Sequence, residues 1–106
     1  MELSTYEKLI ESFNNNPRDV CSVPLVRRQP VWFYVETESN KLWVYEARAH
    51  KNSSRIATKR ELLESECEPM LELFQRRKNN EPVSGPAHEI SRNVTYWFGI
   101  FADMNW

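Results

Sequence analysis

The stretch VWFYVETESNKLWVYEARAH, Val31 to His50, decides how the rest of the chain is read. Val31 to Glu38 and Leu42 to Ala49 are dense in β-branched and aromatic side chains, and ESNK between them has turn character, so the pattern predicts an antiparallel hairpin. Register then decides which side chains share a face. A loop of two or four residues sets Glu38 opposite Lys41 and Tyr34 opposite Tyr45. One face then collects Trp32, Tyr34, Trp43 and Tyr45, and the other collects Val31, Phe33, Val35, Leu42 and Val44. A three-residue loop would mix these sets.

Working outward, the segment before the hairpin opens with a helical pattern. Tyr6, Leu9, Ile10 and Phe13 repeat at i, i+3, i+4, i+7, and Ser4 with Glu7 has the spacing of a capping box. Asn14 to Pro17 ends that helix. Residues 17–30 are expected to form an irregular connector, with an edge strand as the alternative, because Pro24 and Pro30 interrupt a mildly apolar run. After the hairpin, RIATKREL alternates Ile56, Thr58, Arg60 and Leu62 against Arg55, Ala57, Lys59 and Glu61, the period of a third strand. SECEPMLELFQRRK reads as a helix with Ser65 as N-cap. Acidic residues stand in its first turn and Arg76, Arg77 and Lys78 close it, in keeping with the helix dipole. Its buried stripe is expected to hold Cys67, Met70, Leu71 and Phe74.

Residues 79–90 carry Pro82, Gly85 and Pro86 and read as a loop. In the last segment, Val94, Trp97, Phe98 and Phe101 recur at helical spacing, with Ser91 or Asn93 as N-cap, and a strand over Val94 to Phe101 is the alternative. The expected fold is a single α+β domain over residues 1–106. It has an N-terminal helix, a three-stranded antiparallel meander, and two C-terminal helices packed on the sheet.

Composition bounds the function. The 106 residues suit one domain with one modest core, and the hydrophobic fraction of 41% and charged fraction of 27% are those of a folded globular protein. Lys+Arg 14 against Asp+Glu 15 leaves a formal net charge of −1, so any attraction to a polyanion must come from a local patch. Two glycines in the whole chain exclude glycine-rich phosphate loops and dinucleotide fingerprints. Cys21 and Cys67 lack a second Cys or a His at zinc-ligand spacing, and no cofactor is expected. MELSTYEKLIESF has neither a basic n-region nor a long apolar core, and no apolar run approaches the roughly 20 residues that span a bilayer. A cytoplasmic setting without membrane association is the expectation.

Three function classes remain. The first is a small non-enzymatic interaction module, a homodimer or a partner of another protein. In it the hairpin aromatics are mainly core and interface, and Arg76 and Arg77 are contacts at an interface rim. The second is a nucleic-acid-binding module in which Trp32, Tyr34, Trp43 and Tyr45 stack bases while Lys51, Arg55 and Lys59 meet phosphates. The third is a small enzyme centred on His50 or His88, each with an acidic residue nearby in sequence, Glu46 and Glu89. The order helix, three strands, helix is similar to that of double-stranded RNA-binding domains. Such domains present lysines at the start of the second helix, where SECEP places two negative charges that would repel a phosphate backbone.

Overall fold

The computed structural model describes residues 3–23, 30–50, 53, 56 and 58–106. Helix α1 (Thr5–Asn15) starts at Ser4, whose hydroxyl accepts the Glu7 amide while the Glu7 carboxylate accepts the Ser4 amide, so the capping box is formed. Among the described residues, four strands follow: β1 (Arg18–Cys21), β2 (Trp32–Glu38), β3 (Lys41–Glu46) and β4 (Arg60–Leu62). They pair antiparallel in chain order, β1-β2-β3-β4. The meander thus has four strands, not the three expected. The extra one lies inside the stretch read as a connector, as its first strand-length piece on the β2 edge. It is four residues long and buries one apolar side chain, Val20, deeply, so periodicity had little to detect there.

The hairpin has the two-residue loop. Ser39 and Asn40 take φ of 53° and 60°, the left-handed pair whose twist matches that of the flanking strands. Glu38 therefore faces Lys41 and Tyr34 faces Tyr45. Helix α2 (Glu64–Lys78) begins two residues earlier than an N-cap at Ser65 would place it, after an N-cap at Leu63 that makes no side-chain cap bond. Its buried residues are Cys67, Met70, Leu73 and Phe74, with Leu71 only partly covered.

Residues 79–90 are not all loop, since α3 (Ser84–Ile90) lies within them. Pro86 falls in the first turn, where its missing N–H costs no helical bond, and Val83 and Ala87 are buried. Helix α4 (Val94–Asp103) closes the chain. Three helices therefore follow the sheet rather than two.

Helices α1 and α4 lie on one face of the sheet, α2 packs on both of them, and α3 packs on α2. The core joins Phe33, Val35, Leu42 and Val44 from the sheet to Leu9 and Phe13 of α1 and to Trp97, Phe98, Ile100 and Phe101 of α4. The Tyr6 hydroxyl donates to the Leu62 carbonyl at 2.8 Å and accepts the Leu42 amide at 2.9 Å, so α1 is bonded into the β3–β4 pair where Leu42 faces Leu62. Burial raises the pKa of this phenol, which stays protonated as the donor. No described helix is long and apolar enough to cross a membrane.

Candidate functional site on the open face of the sheet

Strand alternation sends every second side chain away from the helices. Asp19 and Cys21 of β1, Trp32, Tyr34, Glu36 and Glu38 of β2, Lys41, Trp43 and Tyr45 of β3, and Glu61 of β4 share that side by register. The four hairpin aromatics are thus gathered on one face, and that face is not the core. The helices bring their own aromatic residues, chiefly from α4, and these fill the space over Phe33, Val35, Leu42 and Val44. Trp32, Tyr34, Trp43 and Tyr45 are left half-buried on the helix-free face.

Each of three rings carries a cationic or imidazole group on it. The Arg48 guanidinium sits 4.0 Å from the Tyr34 ring centroid, and the Lys59 ammonium 4.3 Å from that of Trp43. The His50 ring stacks on Trp32 with centroids 3.5 Å apart and planes within 4°. Such contacts are each worth about 0.5–1 kcal/mol at exposed sites. Tyr34 meets Tyr45 edge-on at 6.2 Å. Lys59 also reaches Glu38 Oε2 at 2.9 Å, and that bond holds its ammonium above the ordinary lysine range. Burial and a hydrogen bond to Glu36 raise the Tyr45 phenol likewise.

Asp19 organises one end of this face. Its carboxylate accepts the Arg48 amide at 2.9 Å, the Ala49 amide at 2.7 Å and His50 Nδ1 at 2.8 Å. The chain after β3 is thereby bent back over β1, which puts Arg48 on Tyr34 and His50 on Trp32. Burial alone would raise the Asp19 carboxyl, but these donors outweigh it and hold it below the usual carboxylate range. A carboxyl whose folded pKa is depressed contributes stability above its unfolded value and loses it as pH falls through the folded one. Asp19→Asn is therefore expected to lower unfolding free energy by about 1–3 kcal/mol at neutral pH. The gap to the parent should begin to narrow as pH falls past the unfolded carboxyl's value of about 4, and close as it falls through the depressed value of the folded one. Urea titrations of both proteins at the two pH values check this, and an undiminished gap in acid would contradict it.

The residues proposed from sequence divide as follows. Trp32, Tyr34, Trp43, Tyr45 and Lys59 come together on the open face, while Lys51 and Arg55 lie outside the described residues. Arg76 and Arg77 sit at the far end of α2, in the helical layer, where Arg76 pairs with Glu72 at 3.0 Å and Arg77 lies near the Phe98 ring. His88 is exposed on α3. The neighbouring Glu66 carboxylate already accepts the Ser91 hydroxyl at 2.7 Å and Trp97 Nε1 at 3.1 Å. His50 has an acidic partner, Asp19 rather than Glu46, and Cys21 on the same face forms no hydrogen bond to its ring. Cys67 is buried, and desolvation together with the nearby Glu68 and Glu64 pushes its thiol up to about 12.

Two members of the face were missed. Asp19 could have been found, because an inward Val20 on an edge strand implies an outward Asp19. Arg48 could not, since strict alternation from Tyr45 would send it to the helix side, and only the turn after Glu46 brings it over Tyr34. Compared with protein-family models, with curated proteins and with solved structures, the chain matches none of them.

Proposed function

We propose that the protein is a non-enzymatic interaction module that pairs with a second copy of itself through the helix-free face of its sheet. The observation that carries this reading is that four large aromatics stand half-covered on a face that no described helix packs against. Exposed apolar patches of that kind mark interaction surfaces. The charges among them have both signs interspersed: Glu36, Glu38 and Glu61 against Lys41, Arg48 and Lys59. A surface of mixed sign is self-complementary when a two-fold axis sets it against its own copy.

Sedimentation velocity over a concentration series tests this. The parent is expected to shift from monomer to dimer, and Trp43→Glu or Tyr34→Glu to weaken the dimer by about 2 kcal/mol or more, roughly 30-fold in Kd. A parent protein that stays monomeric throughout overturns the reading.

A single-stranded nucleic acid is the second occupant to weigh, because stacking needs aromatic faces free of helices and this face has them. Against it, Arg48, His50 and Lys59 already cover three of the rings, and the carboxylates between them repel phosphate. Saturable quenching of tryptophan fluorescence by single-stranded RNA, fading with salt, is the result that would favour this second reading over self-association.

A further inference from the structure

We propose that the groove between α1 and the β2–β3 turn receives a basic amphipathic helical segment of a partner protein. The groove has a volume of about 680 Å³. A helix about 10 Å across and 5.4 Å per turn fills roughly 420 Å³ each turn, so between one and two turns fit. Leu3, Tyr6 and Ile10 supply an apolar floor, and Glu7, Glu11, Glu38 and Glu64 the rim. Among the described lining residues there is no Lys, Arg or His, in a chain whose net charge is only −1. The acidity is therefore a local concentration and not a property of the whole surface.

The rim is also partly unspent. Glu7 holds the Ser4 amide and Glu38 holds Lys59, but the carboxylates of Glu11 and Glu64 make no hydrogen bond or ion pair with a described residue. An independent observation is the placement of exposed apolar surface. Of the three large hydrophobic side chains exposed among the described residues, Leu3, at 43%, lies in the groove, and Leu63, at 45%, immediately precedes Glu64 of its rim. Apolar anchors flanked by acids are complementary to a helix with leucines on one face and lysines or arginines beside them. The elements that present the acids are a helix, a strand end and another helix start, and among the described residues no metal-ligating cluster forms.

The test uses the full chain and a fluorescently labelled helical peptide of leucine and lysine, read by anisotropy. Its counterpart with glutamate in place of lysine serves as the comparison. The parent is expected to bind the lysine peptide saturably, more weakly as salt rises, and the glutamate peptide at least about tenfold less well. Glu11→Lys with Glu64→Lys should weaken binding by about tenfold or more. The same change of charge at Glu81→Lys with Glu89→Lys, neither of which lines the groove, should leave it within about twofold. Leu3→Ser, which removes the apolar anchor beside the α1 N-cap without adding a charge, should also weaken it. Circular dichroism confirms that each variant is folded. Absence of binding by the parent, or equal weakening by the groove pair and the distant pair, overturns the proposal. The groove shares only Glu38 with the open sheet face, and none of these variants changes it, so this outcome is independent of the self-association test.

Discussion

Trp97→Ala is expected to lower unfolding free energy by about 3–5 kcal/mol, the range for truncating a fully buried aromatic. Trp97 has no exposed surface. It stacks against Phe101 at 5.6 Å, meets Tyr6 at 6.5 Å and donates its indole N–H to Glu66. It thus stands where α1, α2 and α4 converge, and no single neighbour can move to fill its volume. Domains of this size have about 5–15 kcal/mol in hand, so the variant should lose a large fraction of its stability. Trp97→Phe separates packing from polarity. Glu66 keeps its bond from Ser91, and the loss should fall to about 1–3 kcal/mol. Urea unfolding followed by circular dichroism measures both variants. A loss under about 1 kcal/mol for the alanine variant would mean that the three helices do not share one core.

Gly99→Val is expected to cost about 3 kcal/mol or more, although glycine inside a helix is itself unfavourable by about 1 kcal/mol. A Cβ at this position would lie 2.9 Å from the Phe33 ring and 3.0 Å from the Cys21 carbonyl oxygen. One of those neighbours is backbone and the other is a fully buried ring, so relief requires lifting α4 from β1 and β2. Even Gly99→Ala should be net destabilising, by about 1–2 kcal/mol, because the overlap outweighs the gain in helix propensity. Gly85 is the internal control. Nothing lies within 4 Å of a Cβ there, and Gly85→Ala should be neutral or stabilising by up to about 1 kcal/mol. If both glycines responded alike to alanine, the close approach of α4 to the sheet would be refuted.

Trp97 also shows where sequence reasoning succeeds. Trp97 belongs to a helical repeat strong enough to override the strand propensity of its neighbours, and α4 forms where that repeat predicts it. The hairpin was legible for the same reason, and so was α1 through its capping box. What the pattern left undecided or hid was short: β1 stood only as the edge-strand alternative to a connector, and α3 was read as loop. β1 and α3 bury one or two apolar side chains each, too few for any period to show, and the Gly85-Pro86 pair that reads as a breaker sits in a first turn that tolerates it.

The candidate face was legible in part. Parity alone groups Trp32, Tyr34, Trp43 and Tyr45, given a two-residue turn. Which side of the sheet the helices take was not legible, because both faces of the hairpin carry bulky apolar residues. The aromatic supply of α4 decides it, by filling the aliphatic side. The groups that cover the rings come from irregular backbone after β3, whose course depends on Asp19 across the sheet, a contact about thirty residues distant that no local pattern encodes.

The Tyr6 hydroxyl has a further implication, for how the molecule comes apart. Donor to Leu62 and acceptor from Leu42, it is a rivet through three segments that are remote in the chain. The edge strand β4 cannot peel away from β3 without breaking its bond to α1, and α1 cannot lift without leaving a strand amide and a strand carbonyl bare in an apolar interior. The first helix and the last strand therefore open together, as one cooperative unit, and partial unfolding confined to either of these two elements is suppressed.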